Sequence, residues 1–257
     1  MNAITFDVGD PASAQHFAEH GWVLVDSLDQ TQQAHLSAWV DEVTALPDSS
    51  GVLQYRELTD DGPKPCRCEN FVPVHEGLRD LLTAGGMLAT AATLLGEPAV
   101  LYKEKVNHKM AGGAGYSPHQ DAPAYPFIER HVSCMVAVDS ADHTNGCLEV
   151  ASGMHHELLP MNDVGCIADD IAAALVWQPV PLPAGCTLWF HSRTPHRSGA
   201  NRSRRNRRAL YPTYNAAREG DLRDQYYRAK LEQMARSRVG DGVQVSLIGD
   251  FQGRPVT

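Results

Sequence analysis

From residue 99 onward the chain changes texture, and that change restricts the possible fold more than any other feature. Apolar runs shorten, β-branched and aromatic residues become frequent, and Gly, Pro, Asn and Asp interrupt them at short intervals. The candidate strands are AVLYKEKVNHK (99–109), VSCMVAVD (132–139), GCLEVAS (146–152), WQPVPL (177–182), CTLWFHS (186–192) and RALYPTY (208–214). Strands this short and closely spaced indicate an antiparallel sandwich or barrel, not a parallel sheet with helical crossovers. The glycine-rich GGAG at 112–115 precedes no helix signal and reads as a flexible turn, not a phosphate loop.

Before residue 98 the pattern is mostly helical. Residues 11–20 (PASAQHFAEH) suggest a helix with Pro near its start, followed by a strand in GWVLV at 21–25. Asp29 should cap a second helix, because Ala34, Leu36, Trp39, Val40, Val43 and Leu46 recur near the helical period. Further helix is expected over 76–95, broken around Gly85-Gly86 and stopped by Gly96 before Pro98. No repeat or low-complexity linker separates these parts. The expected organisation is one domain, mostly β with flanking helices: a mainly helical layer over 1–97, a β core over 98–215, and a C-terminal helix and tail over 216–257. A length of 257 residues suits a single sandwich or barrel.

Composition narrows the function classes. The net charge of −9 argues against wholesale binding to nucleic acid or an anionic membrane. One stretch opposes it: residues 202–208 (RSRRNRR) hold five arginines in seven residues, a solvated face or a grip on something anionic. No apolar run approaches the ~20 residues of a membrane span, and the first residues show no secretory pattern. The six cysteines, at 66, 68, 134, 147, 166 and 186, have no framework spacing, so they read as reduced thiols in a cytoplasmic protein. Cys66-x-Cys68 lacks the second half of a zinc site.

Two His-x-acid triplets stand out, His119-Gln120-Asp121 and His155-His156-Glu157. With twelve His and thirty-one acidic residues, chance supplies about one or two, so a triplet alone settles nothing. The first has a restrictive continuation. On a strand, residues i and i+2 share a face, so His119 and Asp121 could reach one ion. His196, in TPHRSGAN, lies 75 residues further on after the apolar strand CTLWF, and an arginine-rich strand start follows. Two neutral imidazoles and one carboxylate suit Fe(II) and leave positions open. An arginine beyond them suits a dicarboxylate, which a guanidinium grips bidentately. The second triplet has no such continuation and reads as the beginning of a strand, with His155 or His156 a lesser candidate for the site.

The segments GWVLVDSLDQ, SPHQDAPAY, NGCLEVASGMH (145–155) and PAGCTLWFHSRTPHRSGANRS (183–203), together with Arg207, resemble the phytanoyl-CoA dioxygenase family of Fe(II)/2-oxoglutarate oxygenases over nearly the whole chain. The resemblance implies a double-stranded β-helix (jelly roll) with flanking helices. It implies His119, Asp121 and His196 as iron ligands, and oxoglutarate and O2 as cosubstrates. The oxoglutarate arginine, eleven residues after the distal His, falls on Arg207. Arg208 would face the opposite side of the strand, and Arg202, Arg204 and Arg205 would be loop charges. Ser198 of the same segment joins Arg207, Asn107 and Lys105 as cofactor-binding candidates. The strand from Lys103 to Asn107 is similar to one that offers polar side chains to oxoglutarate and substrate in ectoine-hydroxylase-like members, and alternation puts Lys103, Lys105 and Asn107 on one face. Tyr125 matches a position where such members place an aromatic against substrate. Where the family often has Gly-Asp before the strand leading to the distal His, this chain has Gly185-Cys186, which bears on turn geometry only.

The expected reaction is hydroxylation of a C–H bond with release of succinate and CO2. Desaturation or cyclisation remains open, and retention of Asp121 disfavours halogenation. Lys103, Tyr125 and Arg130 are the substrate-binding candidates. Lys105, Arg130 and the spare arginines suit a small anionic metabolite. KEKVNHK, GGAGYSPHQDAPAY and EGDLRDQYYRAK look like bacterial members acting on compact polar molecules, aminoalkyl-phosphonates among them. The alternatives are natural-product tailoring, a CoA-thioester hydroxylase, a cupin-like metal-binding sandwich without catalysis, and a nucleic-acid demethylase. The sequence leaves oligomeric state open.

Overall fold

Three apolar runs, WVLV at 22–25, VSCMVA at 132–137 and TLWF at 187–190, are continuous because both their faces are buried. The computed structural model describes residues 4–59, 62–125, 127–163, 165–236 and 255–256. Its strands are β1 (Thr5–Asp7), β2 (Trp22–Asp26), β3 (Leu53–Thr59), β4 (Gly62–Glu69), β5 (Ala99–Lys109), β6 (Gly115–His119) and β7 (His131–Ala137). They continue with β8 (Leu148–Val150), β9 (Gln178–Val180), β10 (Thr187–His191), β11 (His196–Ser198), β12 (Arg207–Ala216) and β13 (Pro255–Val256). The helices are α1 (Pro11–His20), α2 (Gln30–Ala45), α3 (Glu76–Thr83), α4 (Gly85–Leu95), α5 (Asp169–Ala174) and α6 (Arg223–Arg236).

One sheet runs β1-β2-β10-β7-β12-β5-β4-β3 and the other β13-β6-β11-β8-β9. Facing each other, they form the expected jelly roll. Alternation sorts the apolar runs between two cores. Val23, Val25, Cys134, Val136 and Trp189 pack outward against helical residues such as Leu36, Val40, Leu82 and Met87. Trp22, Leu24, Met135, Leu188 and Phe190 point inward between the sheets with Leu148, Val150 and Val180.

The helical layer follows its local signals. Asp29 caps α2 in a full capping box with Gln32, a device worth ~0.5–2 kcal/mol. The break between α3 and α4 falls at Ala84, which is extended, with Gly85 following at a φ of 57°; inside α4, a Cβ on Gly86 would lie 2.3 Å from the Ser27 carbonyl oxygen. Gly96 ends α4 in the left-handed conformation.

The structure departs from expectation in four places. The 1–97 layer also contains the β3–β4 hairpin, which extends the large sheet beyond β5; its prolines and charges masked the alternation. Gly115 opens β6 instead of ending a turn, and a Cβ there would lie 2.1 Å from the Ser198 carbonyl oxygen, so only glycine lets β6 and β11 approach. Residues 155–157 form no strand. Helix α5 had no recognised signal. A register shift near Arg67 also separates the two neighbouring cysteines: Cys66 packs against the Tyr102 and Tyr125 cluster, whereas Cys68 belongs to the helix-side core. They do not share a face, and burial raises the Cys68 thiol to about 12.

Candidate functional site

β6 and β11 are hydrogen-bonded neighbours, and their register sets His119 directly opposite His196. The two rings lie 4.2 Å apart between centroids. Asp121 is not on the strand. Its φ of −71° and ψ of −30° are helical, and it opens the 3₁₀ turn over 122–124. The chain bends just after His119 and brings Asp121 Oδ1 to 3.9 Å from His119 Nε2 and 3.8 Å from His196 Nε2. All three side chains are buried. Convergence therefore comes from this bend, which strand alternation did not anticipate.

The donor set fits a divalent iron. His119 Nδ1 bonds the Ser117 carbonyl oxygen at 2.7 Å and His196 Nδ1 the Thr194 carbonyl oxygen at 3.0 Å. A carbonyl only accepts, so each Nδ1 carries the proton and each Nε2 offers its lone pair to the centre. Burial, with His196 beside it, pushes His119 down to about 3, so its ring is neutral. Burial opposes ionisation of Asp121, but His196, His119, Lys105 and the Ser133 hydroxyl bring it down to about 2. Ser133 Oγ donates to Asp121 Oδ2 at 2.6 Å, which leaves Oδ1 toward the imidazoles. Two imidazoles, one carboxylate and unfilled space beside them make the facial set that Fe(II) oxygenases use.

The cavity next to this trio has about 450 Å³ of space, its open mouth included. Strand β5 runs along it, presenting Lys103, Lys105 and Asn107 to it, as alternation required. All three are buried. Tyr125 lines the same space, with Lys103 Nζ 4.9 Å from its ring centre. Tyr116, Tyr211 and Thr213 complete much of the wall.

Past Asn107 the face continues into a cationic corner. Arg207 pairs across the strands with Lys109 and is buried, its Nε and Nη1 having no hydrogen-bond partner among the described residues. Such orphaned donors await an acceptor. Burial raises the Tyr211 phenol despite the opposing Arg207 charge beside it. Ser198 Oγ accepts a 2.7 Å bond from Lys109 Nζ, which also reaches the Gly199 carbonyl oxygen at 2.6 Å. Lys109 was missed by sequence reasoning, although the alternation of Lys103, Lys105 and Asn107 extends to it. Arg208 points to the other side, onto Asp139 at 2.8 Å and onto Asp41.

Arg130 does not belong to the site. It is exposed, donates to the Leu95 carbonyl oxygen at 2.6 Å and pairs with Glu97 at 3.3 Å. It caps a helix end, a role that a charged residue in a loop does not announce. The second triplet is also elsewhere. His155 packs on the rings of His156 and His191 at 4.2 and 5.3 Å. Its loop is tied down by Gln120, the middle residue of the first triplet, which donates to the Glu157 and Arg193 carbonyl oxygens and accepts from Leu159 N–H. Gln120 thus points away from the cavity and fixes the bend that carries Asp121. Arg202, Arg204 and Arg205 lie in the loop before β12.

Comparison with known proteins agrees with this geometry. The phytanoyl-CoA dioxygenase family profile matches residues 17–209. A methylphosphonate hydroxylase of Gimesia maris is 43% identical over 90% of this chain and 91% of its own length. A 2-aminoethylphosphonate dioxygenase of an uncultured bacterium is 36% identical over 84% and 85%. Among solved structures, the epimerase SnoN in complex with Fe3+, alpha ketoglutarate and nogalamycin RO superposes with a TM-score of 0.69, 23% identity, and coverage of 96% of this chain and 97% of that one.

Proposed function

The chain belongs to the phytanoyl-CoA dioxygenase family and is an Fe(II)- and 2-oxoglutarate-dependent dioxygenase, and we propose that it hydroxylates a C–H bond of a small phosphonate. The observation that carries this reading is the buried amine pair of β5, Lys103 and Lys105, set beside the His119–Asp121–His196 trio; burial disfavours their charged forms, and an arriving anion would favour them. A doubly charged tetrahedral anion is a natural occupant of such a face. Two relatives named for phosphonate substrates, aligned over more than four-fifths of the chain, support the same class.

In this reading His119 Nε2, Asp121 Oδ1 and His196 Nε2 would hold the iron beside the cavity. Ferrous iron bound there supplies oxygen activation coupled to oxidative decarboxylation of oxoglutarate. Overall, oxoglutarate, O2 and R–H give succinate, CO2 and R–OH, one oxygen atom entering each organic product. Arg207, with Lys109 and Ser198 beside it, would take the distal carboxylate of oxoglutarate, and Asn107 and Lys105 would line the cavity on the same face of β5. Ser133 keeps Asp121 oriented by holding Oδ2. Tyr125 and Lys103 bound the space left for substrate, and the packed faces of both sheets keep bulk water from the reacting carbon. Among the described residues no helix is long and apolar enough to cross a membrane. The six free cysteines support a reducing, cytoplasmic setting, and the charge of −9 speaks against a nucleic-acid substrate.

The test is incubation with Fe(II), oxoglutarate and a panel containing methylphosphonate, 2-aminoethylphosphonate and non-phosphonate metabolites. Phosphonates should raise succinate above the uncoupled background and yield a hydroxylated phosphonate by phosphorus NMR. Stimulation only by non-phosphonate members would overturn the substrate class. Retained turnover in Asp121→Ala or His196→Ala would overturn the ligand assignment.

A further inference from the structure

Asp121 is the one member of the metal trio that no strand carries, since it opens a 3₁₀ turn after β6. Something else must hold its carboxylate still. Asp121, Ser133, Thr213 and Tyr125 all line the cavity, and a run of hydroxyl groups joins them. Ser133 on β7 lies directly opposite Thr213 on β12, so both side chains project to the same side of the sheet. β7 is an inner strand of the large sheet, flanked by β10 and β12. Ser133 Oγ is 2.6 Å from Asp121 Oδ2 and 3.2 Å from Thr213 Oγ1. The β12–β5 ladder keeps its register to the Thr213–Lys103 pair and then skips Tyr102, a bulge of the kind that re-aims side chains beside active sites. Ser133 and Thr213 are each 2% exposed, so bulk water does not compete for their hydroxyls.

Proton counting gives this run a direction. A carboxylate that binds a metal has no proton, so Ser133 donates to Asp121 Oδ2. A hydroxyl has one proton to give, so Ser133 cannot also donate to Thr213. The 3.2 Å bond therefore runs from Thr213 Oγ1 to Ser133 Oγ. Thr213 is then left with lone pairs alone, and the group that hydrogen-bonds its side chain is the Tyr125 phenol. By the same count the phenol is the donor. Each donation polarises the next hydroxyl along the chain, and the chain ends on Oδ2, leaving Oδ1 as the oxygen near both imidazoles.

We propose that Thr213 is a positioning residue for the metal: acting through Ser133 and backed by the Tyr125 phenol, it ties the turn-borne Asp121 to the large sheet and keeps Oδ1 toward His119 and His196. This rests on the ligand assignment above and is independent of the substrate's identity. It also gives Tyr125 two tasks, its ring bounding the substrate space and its phenol closing the chain behind Asp121.

Metal competition titration of the protein without oxoglutarate reads iron affinity apart from turnover. Thr213→Val keeps the shape and removes the hydroxyl. It should weaken iron about two- to tenfold, the range of one net hydrogen bond, and Thr213→Ser should restore the affinity. Undiminished affinity in Thr213→Val would overturn the proposal. The double variant distinguishes a chain from two separate supports. Ser133→Ala already cuts the link to Asp121, so adding Thr213→Val should weaken iron no further, and additive losses would overturn the relay. Tyr125→Phe should cost less than Thr213→Val, and its effect should vanish in the Ser133→Ala background; a loss that persists there would remove Tyr125 from the chain. Should Thr213→Val fail to fold, Thr213→Ala compared with Thr213→Ser reads the same hydroxyl. Undiminished iron affinity in Asp121→Ala would overturn the ligand assignment itself. Loss in Asp121→Ala with none in Thr213→Val would overturn the positioning role alone.

Discussion

Two clusters of buried cationic side chains on either side of β5 are built differently. At the corner of β11 and β12, Lys109 is held by neutral groups, the Ser198 hydroxyl and the Gly146 and Gly199 carbonyl oxygens, and two nitrogens of Arg207 have no partner among the described residues. Between β4 and α6, by contrast, Arg67 and Lys230 pair with the Glu69 carboxylate. The corner leaves its counter-charge to the incoming molecule, whereas the β4–α6 cluster has a carboxylate built into it. Buried cations without a fixed anion are expensive, so the corner should respond more strongly than the β4–α6 cluster to loss or capture of its anion.

The largest expected effect is at the corner. Arg207→Met should weaken oxoglutarate binding by about 2–5 kcal/mol, the range for truncating one partner of a buried charge pair, while methylphosphonate binding beside Lys103 and Tyr125 changes little. Calorimetry with each ligand in turn checks this, and parallel losses for both ligands would erase the distinction. Between the two regions, Ser133→Ala should lower iron affinity by about 10–100-fold, the usual effect of removing a group that orients a ligand. Metal competition titration measures it, and an unchanged affinity would mean that Asp121 needs no such anchor.

Proton uptake sharpens the comparison further. Burial and Arg207 push Lys109 down to about 7, so its charged form is disfavoured in the free protein. A carboxylate arriving at the corner favours that charged form. Oxoglutarate binding should therefore take up a proton, and affinity should fall as pH rises above about 7, by at most about tenfold per unit. Titration in two buffers of different ionisation enthalpy reads the proton directly. The smallest effect belongs to Arg208, whose partners Asp139 and Asp41 lie on the outer side. Arg208→Met should cost up to about 1 kcal/mol of stability by thermal or denaturant unfolding and leave oxoglutarate affinity intact. A loss of affinity there would move the register of β12 by one residue.

Much of the cavity can be read from single stretches of chain. The alternation of Lys103, Lys105 and Asn107 is enough to name one wall, and one further step of the same period reaches Lys109. Arg207 and Arg208 separate by the same period of two. The failures are of another kind. Arg67, Glu69 and Lys230 come from a hairpin obscured by prolines and from a helix far along the chain, and nothing local marks them as neighbours. Arg130 looked like a substrate cation because charge was read without position. Its guanidinium instead serves a helix end and Glu97.

The sequence by itself determined the strand pattern, the helix caps at Asp29 and Gly96, the two segments that carry His119, Asp121 and His196, and the inward phase of β5 and β12. These follow from periodicity, turn chemistry and motif, which act over a few residues. Only the tertiary structure decided that His119 faces His196 across two paired strands, that a bend after the strand swings Asp121 in beside them, and that Arg67, Glu69 and Lys230 meet between β4 and α6. Those relations depend on which strands pair, in which register, and on which helix covers them. They are settled by burying faces that lie far apart in the chain, a cooperative choice that no single stretch of residues encodes.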